Sequence, residues 1–157
     1  QQVTVLGAAT LTGRFVEHYG DPLPPGFDQH LFRLFPTPEQ VIGGNVKDVG
    51  FPNTRANTIT DYCKAYINGD FEFEGRTSLD EIIAKLTSVK GVGDWTANYI
   101  AMRALRETDA FPSGDLGLTK AYGFLTQENT TPKELSLVSE KWRPWRSYAA
   151  VHLWNSL

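Results

Sequence analysis

The chain has 157 residues, of which 41% are hydrophobic and 21% charged, a composition that excludes a disordered polymer and allows one domain with a real core. No apolar run approaches the roughly 20 residues needed to cross a bilayer as a helix. The net charge of −3 argues against nucleic-acid binding through a broad positive field, but leaves room for a small basic face and main-chain contacts.

The chain opens in QQVTVLGAATLTGRFVEHYG, which reads directly as helix. Its only methionine is Met102, so a fragment or a processed chain is expected. Three later helix starts carry strong caps. Thr37-Pro38-Glu39-Gln40 offers a hydroxyl at the cap, proline at the first helical position and an amide three residues on. Ser78-Leu79-Asp80-Glu81 is a capping box ahead of Ile82, Ile83 and Leu86, and Thr131-Pro132-Lys133-Glu134 repeats the first arrangement before Leu135 and Val138. Between the helical stretches lie the glycine and proline clusters from Asp21 to Gly26, Gly43 to Asn45 and Phe111 to Gly114. The alternation Phe71-Glu72-Phe73-Glu74 is too short for a strand and reads as a loop. Seven or eight short helices and no strand follow, in a compact all-α domain.

A lone cysteine, Cys63, cannot form an internal disulfide; it reads as a small buried apolar residue in a chain suited to a reducing, intracellular compartment. His18, His30 and His152 show no metal-ligand spacing. Trp142 and Trp145 read as core or surface packing.

Chemistry concentrates between Leu86 and Leu118. Val89-Lys90-Gly91-Val92-Gly93 sets two glycines in a tight turn between helical patterns. The helix that follows would present free N–H groups to an anion such as a phosphate, with Lys90 beside them. The same residues are equally a plain αα-hairpin with a glycine turn. Asp115 reads as the N-cap of a helix, and Trp95 and Tyr99, four apart on one face, have the spacing of ordinary core residues.

LTSVKGVGDWTANYIAMRA resembles the hairpin of the helix-hairpin-helix DNA glycosylases, whose pattern is L-x-x-apolar-x-G-apolar-G-x-x-T/A-A. FPSGDLGL resembles the loop carrying that family's essential aspartate, and aligns it with Asp115 rather than Asp109. EKWRPWRSYAAVHLWNSL resembles the last helix of the bacterial 3-methyladenine DNA glycosylase II branch. QQVTVLGAAT is similar to that branch's QQ-V/I-S-V segment, and Gly50-Phe51-Pro52-Asn53-Thr54-Arg55-Ala56 to its G-x-P-x-x-R-A turn. These separated motifs occur in the family's order.

The resemblance implies one glycosylase domain over residues 1–157 that removes alkylated purines from double-stranded DNA and leaves an abasic site. It implies Asp115 as the catalytic carboxylate, a role compatible with capping. Trp95, Tyr99, Trp154 and Asn155 would line the base pocket, although the family often has an aromatic where Asn155 stands. Lys90, Gly91, Val92, Gly93 and Thr96 would hold the DNA backbone, and Gln2 falls at the wedge that fills the gap left by the flipped base. Trp95 stands where members that also cut the backbone carry a lysine, so simple hydrolysis is expected. No cofactor is expected beyond a sodium or potassium ion on the main-chain carbonyls of Thr87, Val89 and Val92. A monomer is the expected state. Two other readings remain open, a non-catalytic helix-hairpin-helix module that binds DNA and a helical interaction domain unrelated to DNA. A fourth consideration is that the branch often carries a β-rich N-terminal domain before the QQ segment.

Overall fold

A computed structural model describes residues 3–24, 26, 27, 31–73 and 77–157. Gln2 and His30, together with Glu74 of the short alternation, lie outside the described residues. The described chain is all-α: α1 Val5–Tyr19, α2 Pro38–Ile42, α3 Asn53–Ile67, α4 Leu79–Thr87, α5 Asp94–Arg103, α6 Leu116–Thr126, α7 Pro132–Ser139 and α8 Arg146–Trp154. Single 3-10 turns cover Val46–Val49 and Glu140–Trp142. The only strand-like pairing among the described residues is an isolated antiparallel bridge between Pro22 and Arg33. No helix among them is long and apolar enough to cross a membrane.

Side-chain capping boxes set the starts of α2, α4 and α7. Thr37, Ser78 and Thr131 each accept the main-chain N–H three residues on, and Gln40, Glu81 and Glu134 reach back to the cap residue's own N–H. Each reciprocal pair satisfies two donors that the helix start would otherwise leave bare. Both glutamates are thereby held below the usual carboxylate range, chiefly by the N–H and hydroxyl of Ser78 and of Thr131.

Contacts divide the chain into two compact units. The first comprises the described part of Gln1–Glu72 with Val89–Gly91, and the second Phe73–Ser88 with Val92–Leu157. In the first, Phe15, Val41, Val46, Val49, Ala56 and Cys63 form a buried cluster, with Tyr19, Phe51 and Ile59 packed on it. Burial pushes the Cys63 thiol up, with Glu39 adding to the effect, so the thiol is an inert core group.

In the second unit α4 packs on α5, and α6 on both α7 and α8. Leu86, Leu118 and Leu135 are fully buried there, as are Ala97, Ala101, Ala121 and Ala150. Small side chains at such positions allow close helix approach. These helices carry the chemistry-bearing residues.

Candidate active site

Asp115 is the N-cap of α6, and its Oδ1 accepts the main-chain N–H of Leu118 at 2.9 Å. That bond alone would make it a structural cap. Two further donors change the picture. Trp95 Nε1 donates to Asp115 Oδ2 at 2.9 Å, and Trp154 Nε1 donates to Oδ1 at 3.1 Å. The half-buried carboxylate is therefore held by one main-chain and two indole N–H groups. A carboxylate offers about four acceptor positions, so roughly one remains, on Oδ2.

The aromatic wall is built by helical spacing. Trp95, Tyr99 and Arg103 follow one another at intervals of four along α5. The Trp95 and Tyr99 rings stack with centroids 5.2 Å apart and planes 10° from parallel. Arg103 Cζ lies 5.8 Å over the Tyr99 ring. Trp154, the last residue of α8, meets Tyr99 at 6.0 Å and 60°. Four of the residues singled out from the sequence, Trp95, Tyr99, Asp115 and Trp154, thus meet in the second unit. Asn155 follows Trp154 as the C-cap of α8, exposed, with its main-chain N–H turned back to Val151 and Leu153.

The loop that delivers Asp115 is fastened at every turn. Asn98, buried on α5, accepts the Phe111 N–H through Oδ1 at 3.1 Å and donates to the Asp94 carbonyl at 3.0 Å. Ser147 on α8 donates its hydroxyl to the carbonyls of Glu107 and Ala110 at 2.6 and 2.7 Å. Arg146, nearly buried, bonds both the carboxylate and the carbonyl of Asp109, and Arg143 pairs with the same carboxylate. Asp109 is thus a fastening residue. Sequence reasoning missed Asn98, Ser147 and Arg146; a polar residue on the apolar face of α5, as Asn98 is, was the one signal available.

Around the glycine turn, Gly91 takes φ +93°, and a Cβ there would lie 2.1 Å from Thr58 Oγ1. Thr58 also donates to the Lys90 carbonyl at 3.1 Å, within the same unit. Lys90 and Gly93 are exposed, Thr96 is half-buried and Val92 is buried. In the second unit α5 begins after Gly93 with no side-chain cap, which leaves its first N–H groups free for an anion. Asp94, in that first turn, sets a negative charge beside them. The Thr87 hydroxyl donates back to the carbonyls of Ile83 and Ala84. No group of three or more His, Cys, Asp or Glu is placed for a metal among the described residues.

The chain resembles known proteins over nearly its whole length. The chain is 36% identical, over 162 residues, to the "Probable bifunctional transcriptional activator/DNA repair enzyme AlkA" of Mycobacterium tuberculosis, an alignment covering 100% of this chain and 31% of that protein. It is 31% identical over 157 residues to DNA-3-methyladenine glycosylase 2 of Escherichia coli, covering 98% of this chain and 53% of that one. The solved structure of Schizosaccharomyces pombe 3-methyladenine DNA glycosylase (Mag1) in complex with abasic DNA superposes with a TM-score of 0.80 at 26% identity, over 98% of this chain and 73% of that one. Over nearly its whole length this chain is similar to 3-methyladenine DNA glycosylases in sequence and in fold. No protein-family model matches it. The chain spans about a third of the first relative and about half of the second.

Proposed function

We propose that this chain carries the catalytic site of a monofunctional DNA glycosylase, which hydrolyses the N-glycosidic bond of alkylated purines of the 3-methyladenine type in double-stranded DNA. Residues 1–157 would act as its glycosylase domain, as a monomer. The observation that carries this reading is the Asp115 carboxylate, held by the Trp95 and Trp154 N–H groups beside stacked aromatic rings. The names of the M. tuberculosis, E. coli and S. pombe relatives agree with it.

A base inside a duplex is out of reach, so the nucleotide is extruded, at a cost of about a few kcal/mol that is smaller for a damaged pair. The hairpin residues Lys90, Gly91, Val92, Gly93 and Thr96 hold the backbone through main-chain N–H groups and the Lys90 charge. The base meets the indoles of Trp95 and Trp154, with Tyr99 and Asn155 beside them. An electron-rich ring attracts a cationic alkylated base by roughly 0.5–2 kcal/mol per contact.

Such a base is already a good leaving group. The bond from its ring nitrogen to the sugar carbon breaks, and the electron pair leaves with the base. Asp115, with about one acceptor position left, acts mainly through its negative charge on the sugar cation that develops. Water then bonds to the sugar carbon and releases a proton to solvent, leaving an abasic site. Trp95 offers no amine for a Schiff base, so the backbone stays uncut. Main-chain carbonyls of Thr87, Val89 and Val92 would hold a sodium or potassium ion, whose charge would draw the DNA phosphate; neutral oxygen donors suit a weakly charged ion.

The test is an excision assay on duplex oligonucleotides carrying 3-methyladenine or hypoxanthine, read with and without alkali. Wild type should give strand breaks only after alkali, and Asp115→Asn should lose at least about a hundredfold in rate. Equal activity in both proteins would remove Asp115 from its role. DNA binding without excision in either would point to a binding module.

A further inference from the structure

The two tryptophans nearest Asp115 do more than offer ring faces. Indole has a single N–H, and in both residues it is spent on the carboxylate, at 2.9 Å from Trp95 to Oδ2 and 3.1 Å from Trp154 to Oδ1. Each oxygen is thus tied to a different helix, α5 or α8, while Leu118 ties Oδ1 to α6.

Gly117, two residues after Asp115, sits in the first turn of α6, where glycine is a poor helix former. Its φ is not in the left-handed region, so backbone conformation does not call for glycine. Space does. A Cβ at Gly117 would lie 2.9 Å from Asp115 Oδ1 but at an ordinary 3.6 Å from Trp154 Cδ1 and Nε1. The indole could stay; the carboxylate oxygen would have to shift away from Gly117, which disturbs its contact with Trp154.

We propose that Trp95 and Trp154 are positioning residues that aim the Asp115 carboxylate through their indole N–H groups, and that the missing side chain of Gly117 leaves the space in which the Trp154 contact forms. The inference rests on the glycosylase reading of Asp115. It predicts that the N–H groups matter apart from the rings. Trp154→Phe keeps a smaller aromatic face and loses the donor. Gly117→Ala keeps both rings and displaces the acceptor.

Two measurements on the full chain test it. In a ¹⁵N-labelled sample the four tryptophans of the sequence give separate indole N–H signals. Asp115→Asn should shift those of Trp95 and Trp154 and leave Trp145 unmoved, and Gly117→Ala should shift that of Trp154. Unmoved Trp95 and Trp154 signals would overturn the proposal whether or not the chain excises a base. In single-turnover and steady-state excision, Trp154→Phe and Gly117→Ala should each lower kcat roughly tenfold to a hundredfold, the scale of losing one hydrogen bond to a charged group. KM should stay within about threefold, and the Gly117→Ala variant should stay folded with a melting temperature lowered by a few degrees at most, since alanine's helix preference offsets part of the disturbed contact. The double variant should be no slower than the slower single variant, because both lose one contact. Wild-type kcat in both single variants would overturn the positioning role. If Asp115→Asn shifted the signals yet kept full activity, the glycosylase reading of Asp115 would fail and the positioning role with it, while the indole contacts stood.

Discussion

Asn98 joins the helix that carries Trp95 to the loop that carries Asp115. Its side-chain oxygen accepts the Phe111 N–H at 3.1 Å, and its nitrogen donates to the carbonyl and carboxylate of Asp94 at 3.0 and 3.2 Å. The residue is buried, so both ends of the amide need protein partners. Asn98→Leu keeps the shape and strands a buried main-chain donor. The expected cost is about 1–3 kcal/mol in urea unfolding, with excision falling further than stability explains because the Asp115 loop is no longer anchored.

Gly91 has two reasons to be glycine, a φ of +93° and only 2.1 Å from a would-be Cβ to Thr58 Oγ1. Gly91→Ala should destabilise by about 1–3 kcal/mol in thermal or urea unfolding. Adding Thr58→Ala should recover part of that loss but not the part due to φ. Full recovery would show that crowding alone selects glycine.

Asp109 binds two arginines, and Arg146 beside it is nearly buried. Asp109→Asn leaves the Arg146 charge with a weaker acceptor, and we expect a loss of about 1–3 kcal/mol. Glu140 is exposed where it meets Arg143 and Arg146, so Glu140→Gln should cost less than Asp109→Asn and its effect should fade at high salt. Matching losses for the two variants would contradict this division.

Glu81 and Glu134 titrate below the usual 4.5, through hydrogen bonds to Ser78 and Thr131. A carboxyl lowered in the folded state contributes stability that is complete above its unfolded value. That stability is lost as pH falls through the folded value. The double variant Glu81→Gln, Glu134→Gln should therefore show a shallower loss of stability below pH about 4.5 than wild type, measured as urea midpoints across pH. Ser78→Ala should cost about 1 kcal/mol at neutral pH through the lost cap.

The caps were legible because their partners lie three residues apart, within reach of local sequence. The spacing of Trp95 and Tyr99 gave their shared face for the same reason, and Arg103 over Tyr99 continues it. Asp115 and Trp154 entered as site residues only through the resemblance to a family. Residue type alone made Asp115 a cap, which it also is.

The capping boxes of α2, α4 and α7 and the glycine turn belong to the sequence, since hydrogen bonds between near neighbours and the φ range of glycine settle them locally. That Trp154 shares a carboxylate with Trp95, that Asn98 holds Phe111, and that Asp109 fastens a loop while Asp115 faces the aromatic rings were decided by tertiary structure alone. A hydrogen bond needs its atoms within about 3 Å and in line. Only packed helices bring residues so distant along the chain to that range.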